Sequence, residues 1–331
     1  MGKRVGVLMG GWGEEREVSL KSGAAVAHAL EAAGHDVTCV LAGPGMEVAL
    51  RTANVEVAFL ALHGRMGEDG KVQGLLEVMG LPYTGSGVLA SALAMNKTYA
   101  RKLFRLHNLP TAAGYSLKAS QVDLLEDLHG DLGFPVVVKP ASGGSSYGLT
   151  LVQEPEGLRP AVELACRYGG EALVERYVRG REVTVAILED KVLGTCEVAH
   201  GGALFDVTAK YQGQSRYHLP ARLSATRLSN VEALALSAYR ALGCRGYARV
   251  DLLASDEAND VLLEVNTLPG MTQSSLLPKI ARQAGLSFEA LCGKILATAS
   301  LDDVAVRPGA DAAPATVAPA AVRLQDVAAA G

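Results

Sequence analysis

Near the C-terminal end of the chain, Asp251 stands two residues beyond Arg249, and Glu264 and Asn266 follow in the run Leu263-Glu264-Val265-Asn266-Thr267-Leu268-Pro269-Gly270. Two apolar runs, Val250 to Ala254 and Val261 to Val265, flank the polar stretch Ser255 to Asp260, a pattern that predicts a β-hairpin. In a strand, Glu264 and Asn266 project to one face, and Asp251 on the partner strand can face them across the ladder. Two carboxylates and an amide oxygen are hard ligands, suited to Mg²⁺ shared with substrate phosphates. All three interrupt apolar runs instead of sitting in the turn, which weighs against a set of merely solvated acids. Arg249 projects to the side of Asp251, where it can neutralise the carboxylates, face a reacting centre, or do both.

A phosphate site needs donors as well as metal. No Walker loop occurs, because Gly70-Lys71 is followed by Val72 and lacks the earlier glycine. The dinucleotide fingerprint also fails, since Gly11-Trp12-Gly13 runs into Glu14-Glu15-Arg16. Instead, the apolar run Val136-Val137-Val138 ends in Lys139 and opens into Pro140-Ala141-Ser142-Gly143-Gly144-Ser145-Ser146-Tyr147-Gly148. Backbone N–H groups of such a loop can cover phosphate oxygens while the lysine supplies charge. A Gly-rich loop by itself is usually a turn; beside the acidic hairpin it gains weight. Val174-Glu175-Arg176-Tyr177-Val178 reads as a connector whose backbone can hydrogen-bond an adenine edge, with Glu182 shortly after. His63 ends an apolar strand, where a buried structural histidine is common but where ligands also bind. Glu14 and Glu15 are either ordinary acids at a helix start or, at a strand–Gly–Gly–helix junction, a trap for a substrate ammonium.

The elements that must hold these groups alternate. Arg4 to Met9, Val37 to Leu41 and Val55 to Leu62 read as strands, with helices over Val18 to Ala33 and Val72 to Met79, which predicts a parallel sheet with ligands at the strand C-termini. A helix from Asn96 to Asn108 leads to a second unit. Its strands lie near Pro135 to Lys139, Leu149 to Val152 and Ala172 to Val174, and its helices near Gln121 to Leu132 and Leu158 to Tyr168. A third unit has strands Glu182 to Leu188 and Val192 to Ala199, a loop from His200 to Arg222, a helix from Asn230 to Leu242, the hairpin, and helices over Ser275 to Ala284 and Phe288 to Ala299. From Asp302 onward the chain is rich in Ala, Pro and Val without periodicity, and reads as a flexible tail.

At 331 residues with 49% hydrophobic residues, the chain has ample core for two or three domains. A net charge of −4 argues against nucleic acid as a partner. No apolar run is long enough for a membrane span and no signal peptide precedes the first strand. The five cysteines are scattered and lack CxxC spacing, as expected of small core residues in a reducing cytoplasm.

With these residues in view, the chain resembles the D-alanine–D-alanine ligases of the ATP-grasp superfamily from about residue 3 to 300. The segments that carry the resemblance are Gly10-Gly11 with Glu15-Arg16-Glu17-Val18-Ser19-Leu20, His63-Gly64 with Gly67-Glu68-Asp69-Gly70, Tyr83-Thr84-Gly85-Ser86-Gly87, Met95-Asn96-Lys97, Lys139 to Gly148, Ala209-Lys210-Tyr211, and Asn266 with Pro269-Gly270-Met271-Thr272. Seven motifs in one order are jointly very specific. The fold implied is α/β, with an N-terminal doubly wound parallel-sheet domain (1–95) ahead of a two-lobed ATP-grasp fold. Its central lobe spans 96–176, its C-terminal lobe 177–300 with a lid at 200–222, and a tail covers 301–331.

The resemblance also implies roles. Lys97 and Lys139 would hold phosphates, Lys210 would reach the γ-phosphate, Glu182 the ribose, and Glu175, Tyr177 and Val178 would line the nucleotide. Asp251, Glu264 and Asn266 would bind two Mg²⁺, with Mn²⁺ as a substitute, and a monovalent cation would assist. Glu15 would receive the ammonium of the first D-alanine, Ser275 the carboxylate of the second, and His63 and Leu276 would complete the substrate site. Ser145, Tyr211 and Glu15 would latch the lid, and Arg249 with the Gly270 N–H would stabilise a tetrahedral oxyanion. The partners implied are D-alanine and a second copy in a homodimer, with no nucleic acid and no membrane, in the cytoplasm. Gly13 stands where the family usually has Ser, Trp12 is unusual beside it, and Phe205-Asp206-Val207-Thr208 is less aromatic and less acidic than the family loop. Three rival readings are a D-alanine–D-lactate ligase, disfavoured by Tyr211 where depsipeptide-forming relatives often carry His; an ATP-grasp ligase of other substrates; and a nucleotide-binding regulatory module without catalysis.

Overall fold

The computed structural model describes residues 2–144, 147–199, 216–255 and 257–302. Its first sheet has the order β2-β1-β3 and is parallel throughout, built from β1 (Arg4–Gly10), β2 (Asp36–Ala42) and β3 (Val57–Leu60). All four residues of β3 are buried, as the near-continuous apolar sequence of a doubly covered parallel strand requires. Helix α1 (Arg16–Ala32) buries Ser19, Ser22, Gly23, Val26, Ala27 and Leu30, a stripe at helical spacing. The first half of the stripe, Ser19, Ser22 and Gly23, is made of small residues because α1 lies tight on β1: a Cβ on Gly23 would stand 2.5 Å from Met9 Cβ. Ser19 ties three segments together, its Oγ accepting from Gly10 N–H at 2.9 Å and donating to Ala61 O at 2.7 Å. Helices α2 (Met46–Thr52), α3 (Lys71–Met79) and α4 (Val88–Met95) follow.

Helix α5 (Lys97–Leu106) starts at an Asn96 side chain that accepts from Tyr99 N–H, and leads into a four-stranded antiparallel sheet of order β4-β7-β5-β6. Its strands are β4 (Gly114–Lys118), β5 (Val136–Pro140), β6 (Thr150–Val152) and β7 (Glu171–Arg176), with α6 (Leu125–His129) and α7 (Leu158–Gly169) between them. A third sheet, antiparallel and of order β10-β9-β8-β11-β12, comprises β8 (Gly180–Leu188), β9 (Lys191–Ala199), β10 (Arg216–His218), β11 (Tyr247–Ser255) and β12 (Val261–Asn266). Helix α8 (Ala225–Ala241) packs on this sheet, and α9 (Leu276–Gln283) and α10 (Phe288–Ala297) close the described chain. No helix among the described residues is long and apolar enough to cross a membrane.

Three apolar cores result. The first is not confined to the N-terminal segment: Val7, Leu30 and Phe59 share it with Tyr247, Met271, Ile280 and Ile295. Tyr247 is fully buried and its hydroxyl donates to Leu60 O at 3.2 Å, so the first strand of the hairpin is bolted to the end of β3. The second core gathers Phe104, Val183, Val231 and Val250, and the third Leu117, Val136, Val162 and Val174.

The expected parallel sheet, hairpin and strand–helix alternation are all present. Two strands and two helices were not expected. β4 buries only Leu117 among its five residues, and β10 buries none, so neither carries an apolar signal. Helices α2 and α4 are short, with seven and eight residues. The helix expected over Gln121 to Leu132 is instead a chain of short turns around α6, interrupted where Asp131 leaves helical geometry.

Filling the gap between α1 and β1 tests how tightly they pack. Gly23→Ala should cost about 1–3 kcal/mol of unfolding free energy in urea titrations, because the added methyl has no room beside Met9. A change within about 0.5 kcal/mol would mean that the helix can slide outward at little cost.

Candidate active site

The hairpin delivers its polar groups in register. Asp251 pairs with Glu264 and Arg249 with Asn266, so these four side chains meet on one face of β11 and β12. Like charges directly opposite in a sheet repel unless cations intervene. Here Arg249 forks onto Asp251, with Nη2 to Oδ2 at 2.8 Å and Nε to Oδ1 at 3.0 Å, while Thr184 Oγ1 donates to Oδ1 at 2.7 Å. Lys97 Nζ pairs with Glu264 Oε2 at 3.0 Å. The Asn266 amide donates to Asp251 Oδ2 at 3.1 Å and lies 3.5 Å from Glu264 Oε1. Burial works against the Arg249 charge, but Asp251 outweighs it and holds the guanidinium protonated. Two carboxylates side by side on the wall of a cleft offer hard oxygens that fit a divalent cation such as Mg²⁺, and the Asn266 amide, which turns its N–H groups to them, carries a third oxygen.

That cleft has a volume of about 910 Å³ and is walled by the segments that follow β1 and β3 and by strands of the two antiparallel sheets. Lys97 also donates to Gly143 O at 2.8 Å, which pulls the Gly-rich loop toward the hairpin. Lys139 Nζ lies 2.5 Å from Glu175 Oε2, and Arg101 Nε 3.3 Å from Glu175 Oε1. Burial alone would raise the Glu175 carboxyl; Lys139 and Arg101 together hold it below its usual value. The connector is shorter than its sequence suggests. Glu175 belongs to β7 with its carboxylate in this buried ion triad, and Tyr177 N–H is taken by Pro135 O at 3.0 Å. Val178 and Glu182 line the cleft just beyond.

Glu15 sits at the N-cap of α1 and reaches into the cleft between two backbone segments. A Cβ on Gly64 would meet its Oε2 at 2.3 Å and one on Gly144 its Oε1 at 3.0 Å, so both close approaches depend on glycine. Gly13 has a φ of +106°, a conformation glycine adopts freely, and Trp12 beside it is 64% exposed at the cleft mouth. At the opposite end Ser275 occupies the N-cap position of α9 without a side-chain bond to the helix; its Oγ instead accepts from Thr272 N–H at 3.1 Å, and Leu276 opens that helix. The positively polarised start of α9 thus faces the cleft, as suits a carboxylate. Gly270 lines the same stretch.

Among the expected site residues, Glu15, His63, Lys97, Lys139, Glu175, Tyr177, Val178, Glu182, Arg249, Asp251, Glu264, Asn266, Gly270, Ser275 and Leu276 all line this one cleft. Ser145, Lys210 and Tyr211 lie outside the described residues, as does most of the expected lid. His63 has a protein partner on each ring nitrogen: Nδ1 is 3.0 Å from Leu268 O and Nε2 3.2 Å from Ser22 Oγ. Sequence reasoning gave no role to Arg101, Thr184, Ser22 or Glu68. For Glu68 the signal was its place in Gly67-Glu68-Asp69-Gly70; the others had none beyond a polar residue on an apolar stripe.

Comparison with known proteins gives this constellation a lineage. The family model described as D-ala D-ala ligase C-terminus matches residues 111–297, and the D-ala D-ala ligase N-terminus model matches residues 42–86. A D-alanine–D-alanine ligase of Anaeromyxobacter sp. (strain Fw109-5) is 50% identical over 304 residues, covering 91% of this chain and 98% of the relative. The chain belongs to the D-alanine–D-alanine ligase family. It is an enzyme of the ligase class by that membership. Another relative of the same name, from Geotalea uraniireducens (strain Rf4), is 50% identical over 305 residues, 90% of this chain and 96% of its own. Among solved structures, a D-alanine–D-alanine ligase from Bacillus anthracis complexed with ATP matches with a TM-score of 0.78 at 35% identity over 89% of this chain and 97% of its own. The VanG D-Ala:D-Ser ligase from Enterococcus faecalis matches with a TM-score of 0.79 at 30% identity over 90% of this chain and 99% of its own. The fold is therefore that of the ATP-grasp ligases, with a parallel sheet first and two antiparallel sheets after it.

Glu68 gives this family site a pH signature. Burial, then repulsion from Glu15, pushes its carboxyl up to about 8, against the pull of the Gly64 and Leu268 N–H groups and of Arg249. The folded chain keeps this proton where the unfolded chain has lost it, so the group's contribution to stability falls as pH climbs from its ordinary 4.5 toward about 8. Gln copies the neutral acid. The melting temperature of ligand-free Glu68→Gln, relative to wild type, should rise steadily through that window and stay level below it. A difference independent of pH would show that Glu68 titrates normally.

Proposed function

We propose that this chain joins two D-alanines into D-alanyl-D-alanine at the expense of ATP, through an acyl phosphate, releasing ADP and phosphate and supplying a peptidoglycan precursor in the cytoplasm. The observation that carries this reading is the meeting, in one cleft, of the lysines Lys97 and Lys139, the carboxylates Asp251 and Glu264 with Asn266 beside them, Arg249, Gly270, and the Glu15 carboxylate at the start of α1. Relatives that bear the ligase name and a structural relative complexed with ATP support it.

In this scheme the nucleotide lies along the Gly-rich loop, with Val178 at the adenine edge, Glu182 at the ribose, and Lys97 and Lys139 at the phosphates. Asp251, Glu264 and Asn266 would hold Mg²⁺, two ions by family resemblance with Mn²⁺ as a substitute, which supplies charge neutralisation to the triphosphate. Glu15 receives the ammonium of the first D-alanine, and that substrate's carboxylate attacks the γ-phosphorus. The start of α9, with Ser275 and Leu276, receives the carboxylate of the second D-alanine. Its amine attacks the acyl carbonyl, Arg249 and the Gly270 N–H take the developing oxyanion, and phosphate departs. Lys210 at the γ-phosphate, with Ser145 and Tyr211 as latch of the lid, complete the proposal, as do a monovalent cation, a homodimer, and the division into domains at 1–95, 96–176 and 177–300.

The VanG D-Ala:D-Ser ligase shares this fold at 30% identity, so a different second substrate is the reading to test against. At position 211 a phenol stays neutral near pH 7, whereas an imidazole can be charged there and disfavour an ammonium relative to a hydroxy acid. Incubation with ATP, Mg²⁺ and an equal mixture of D-alanine, D-serine and D-lactate at pH 7 should give D-alanyl-D-alanine as the main mass-spectrometric product. A dominant D-alanyl-D-serine or D-alanyl-D-lactate peak would overturn the substrate choice, and no D-alanine-dependent product would overturn the activity. Separately, Glu264→Gln should lower turnover at least about 100-fold with the melting temperature largely kept, because a neutral amide cannot replace a charged ligand. Near-normal phosphate release from that variant would remove Glu264 from the metal site.

A further inference from the structure

The stretch Leu268–Met271 carries the Gly270 N–H, and its backbone is held from several sides by side chains distant in sequence. Leu268 N–H donates to Glu68 Oε1 at 3.2 Å, and Leu268 O lies 3.0 Å from His63 Nδ1. Met271 N–H donates to Ser22 Oγ at 3.1 Å, and the same Oγ lies 3.2 Å from His63 Nε2. Glu68 Oε2 accepts from Gly64 N–H at 2.8 Å, which anchors that carboxyl group to the strand end that carries His63.

This network fixes its own protons. A carbonyl oxygen only accepts, so His63 Nδ1 carries the hydrogen and Nε2 is the acceptor. Ser22 therefore accepts from Met271 N–H and donates to His63 Nε2. Burial pushes the His63 pKa down, which keeps the ring in this neutral form. Leu268 and Met271 thus spend their N–H groups on the network, and Pro269 has none. Gly270 N–H is the one donor of the stretch without a hydrogen bond among the described residues, and Gly270 lines the cleft.

We propose that Ser22, His63 and Glu68 are positioning residues that clamp Leu268 and Met271 so that the intervening Gly270 N–H is presented to the reacting carbonyl. This rests on the activity proposed above. It assigns His63 a role through the loop, with its ring nitrogens committed to protein, and it explains why a serine lies fully buried on the face of α1 toward the first core. An oxyanion donor works only when pre-set, and an error of about 1 Å at a reacting centre costs on the order of 100-fold in rate.

Ser22→Ala removes the acceptor of Met271 N–H and the donor to His63 at once. Expected is a fall in kcat of about 10- to 100-fold with the KM for ATP held within about twofold, since no phosphate-holding residue is touched. If Ser22→Ala does not fold, a pair of variants at His63 decides. The asparagine of His63→Asn carries an amide N–H close to the Nδ1 position and can still reach Leu268 O. The longer glutamine of His63→Gln carries it near the Nε2 position instead, so His63→Asn should retain clearly more kcat than His63→Gln. Equal kcat in wild type and Ser22→Ala, no difference between the His63 variants, or a KM for ATP that rises in step with the loss of kcat would overturn the clamp. Backbone amide exchange of ligand-free protein provides the activity-independent reading: Leu268 and Met271 should exchange faster in Ser22→Ala, and unchanged rates would also overturn it. A wild-type chain that makes no dipeptide would sink the activity reading, while the exchange rates would still judge the clamp.

Discussion

Among the described residues, the half-buried cations Lys97, Lys139 and Arg249 of the cleft are each paired with an acid, and this charge balance is the constraint on which the rest of the structure depends. A site for a polyphosphate needs several positive groups near one another, yet an uncompensated buried charge costs several kcal/mol. The chain resolves the conflict with internal partners: Lys97 with Glu264, Lys139 and Arg101 with Glu175, and Arg249 with Asp251. The same carboxylates that neutralise the lysines are the donors suited to a divalent cation, or stand directly behind the lysines that face the cleft. In the proposed reaction a metal–nucleotide complex would exchange this set of ion pairs for another.

This balance dictates the architecture. No single element supplies both members of the Lys97–Glu264 or Lys139–Glu175 pairs; α5 meets β12, and β5 meets β7. The hairpin is the hub. Its first strand is pinned to β3 through Tyr247, its inner face carries Arg249 and Asp251, and its exit leads straight into the Leu268–Met271 stretch. The first core mixes residues of the N-terminal sheet with residues of α9 and α10, so the walls holding Glu15 and Ser275 share one packed interior. In the proposed reaction these two walls would hold two substrates at once, and a rigid shared core suits that, because a misplacement on either wall is felt in the rate.

Much of this was legible in the sequence. The strand alternation around β1 to β3, the hairpin with Asp251, Glu264 and Asn266, the lysine at the end of β5 and the glutamate at the start of α1 were each readable from period, spacing and residue type. These features are local: a strand's faces alternate with a period of two, a helix's stripe recurs every three or four residues, and a Gly-rich turn announces itself. The strands β4 and β10 escaped because they bury too little apolar surface to leave a pattern, and α2 and α4 because seven or eight residues are too few to establish a helical period.

What only the tertiary structure decided is which charges meet and which protons stay. Glu175 read as part of a nucleotide connector, and folding turned its carboxylate onto Lys139 and Arg101. His63 read as either a core histidine or a ligand; it is held as a neutral ring between Ser22 and Leu268. Glu68 read as one letter of a motif, and its pKa of about 8 arises from burial and from a glutamate that follows a different strand. The sequence by itself determined the elements and the chemical types they carry, because those depend on near neighbours along the chain. Pairing and protonation depend on desolvation and on distances of a few ångströms between remote segments, and these exist only once the sheets have packed.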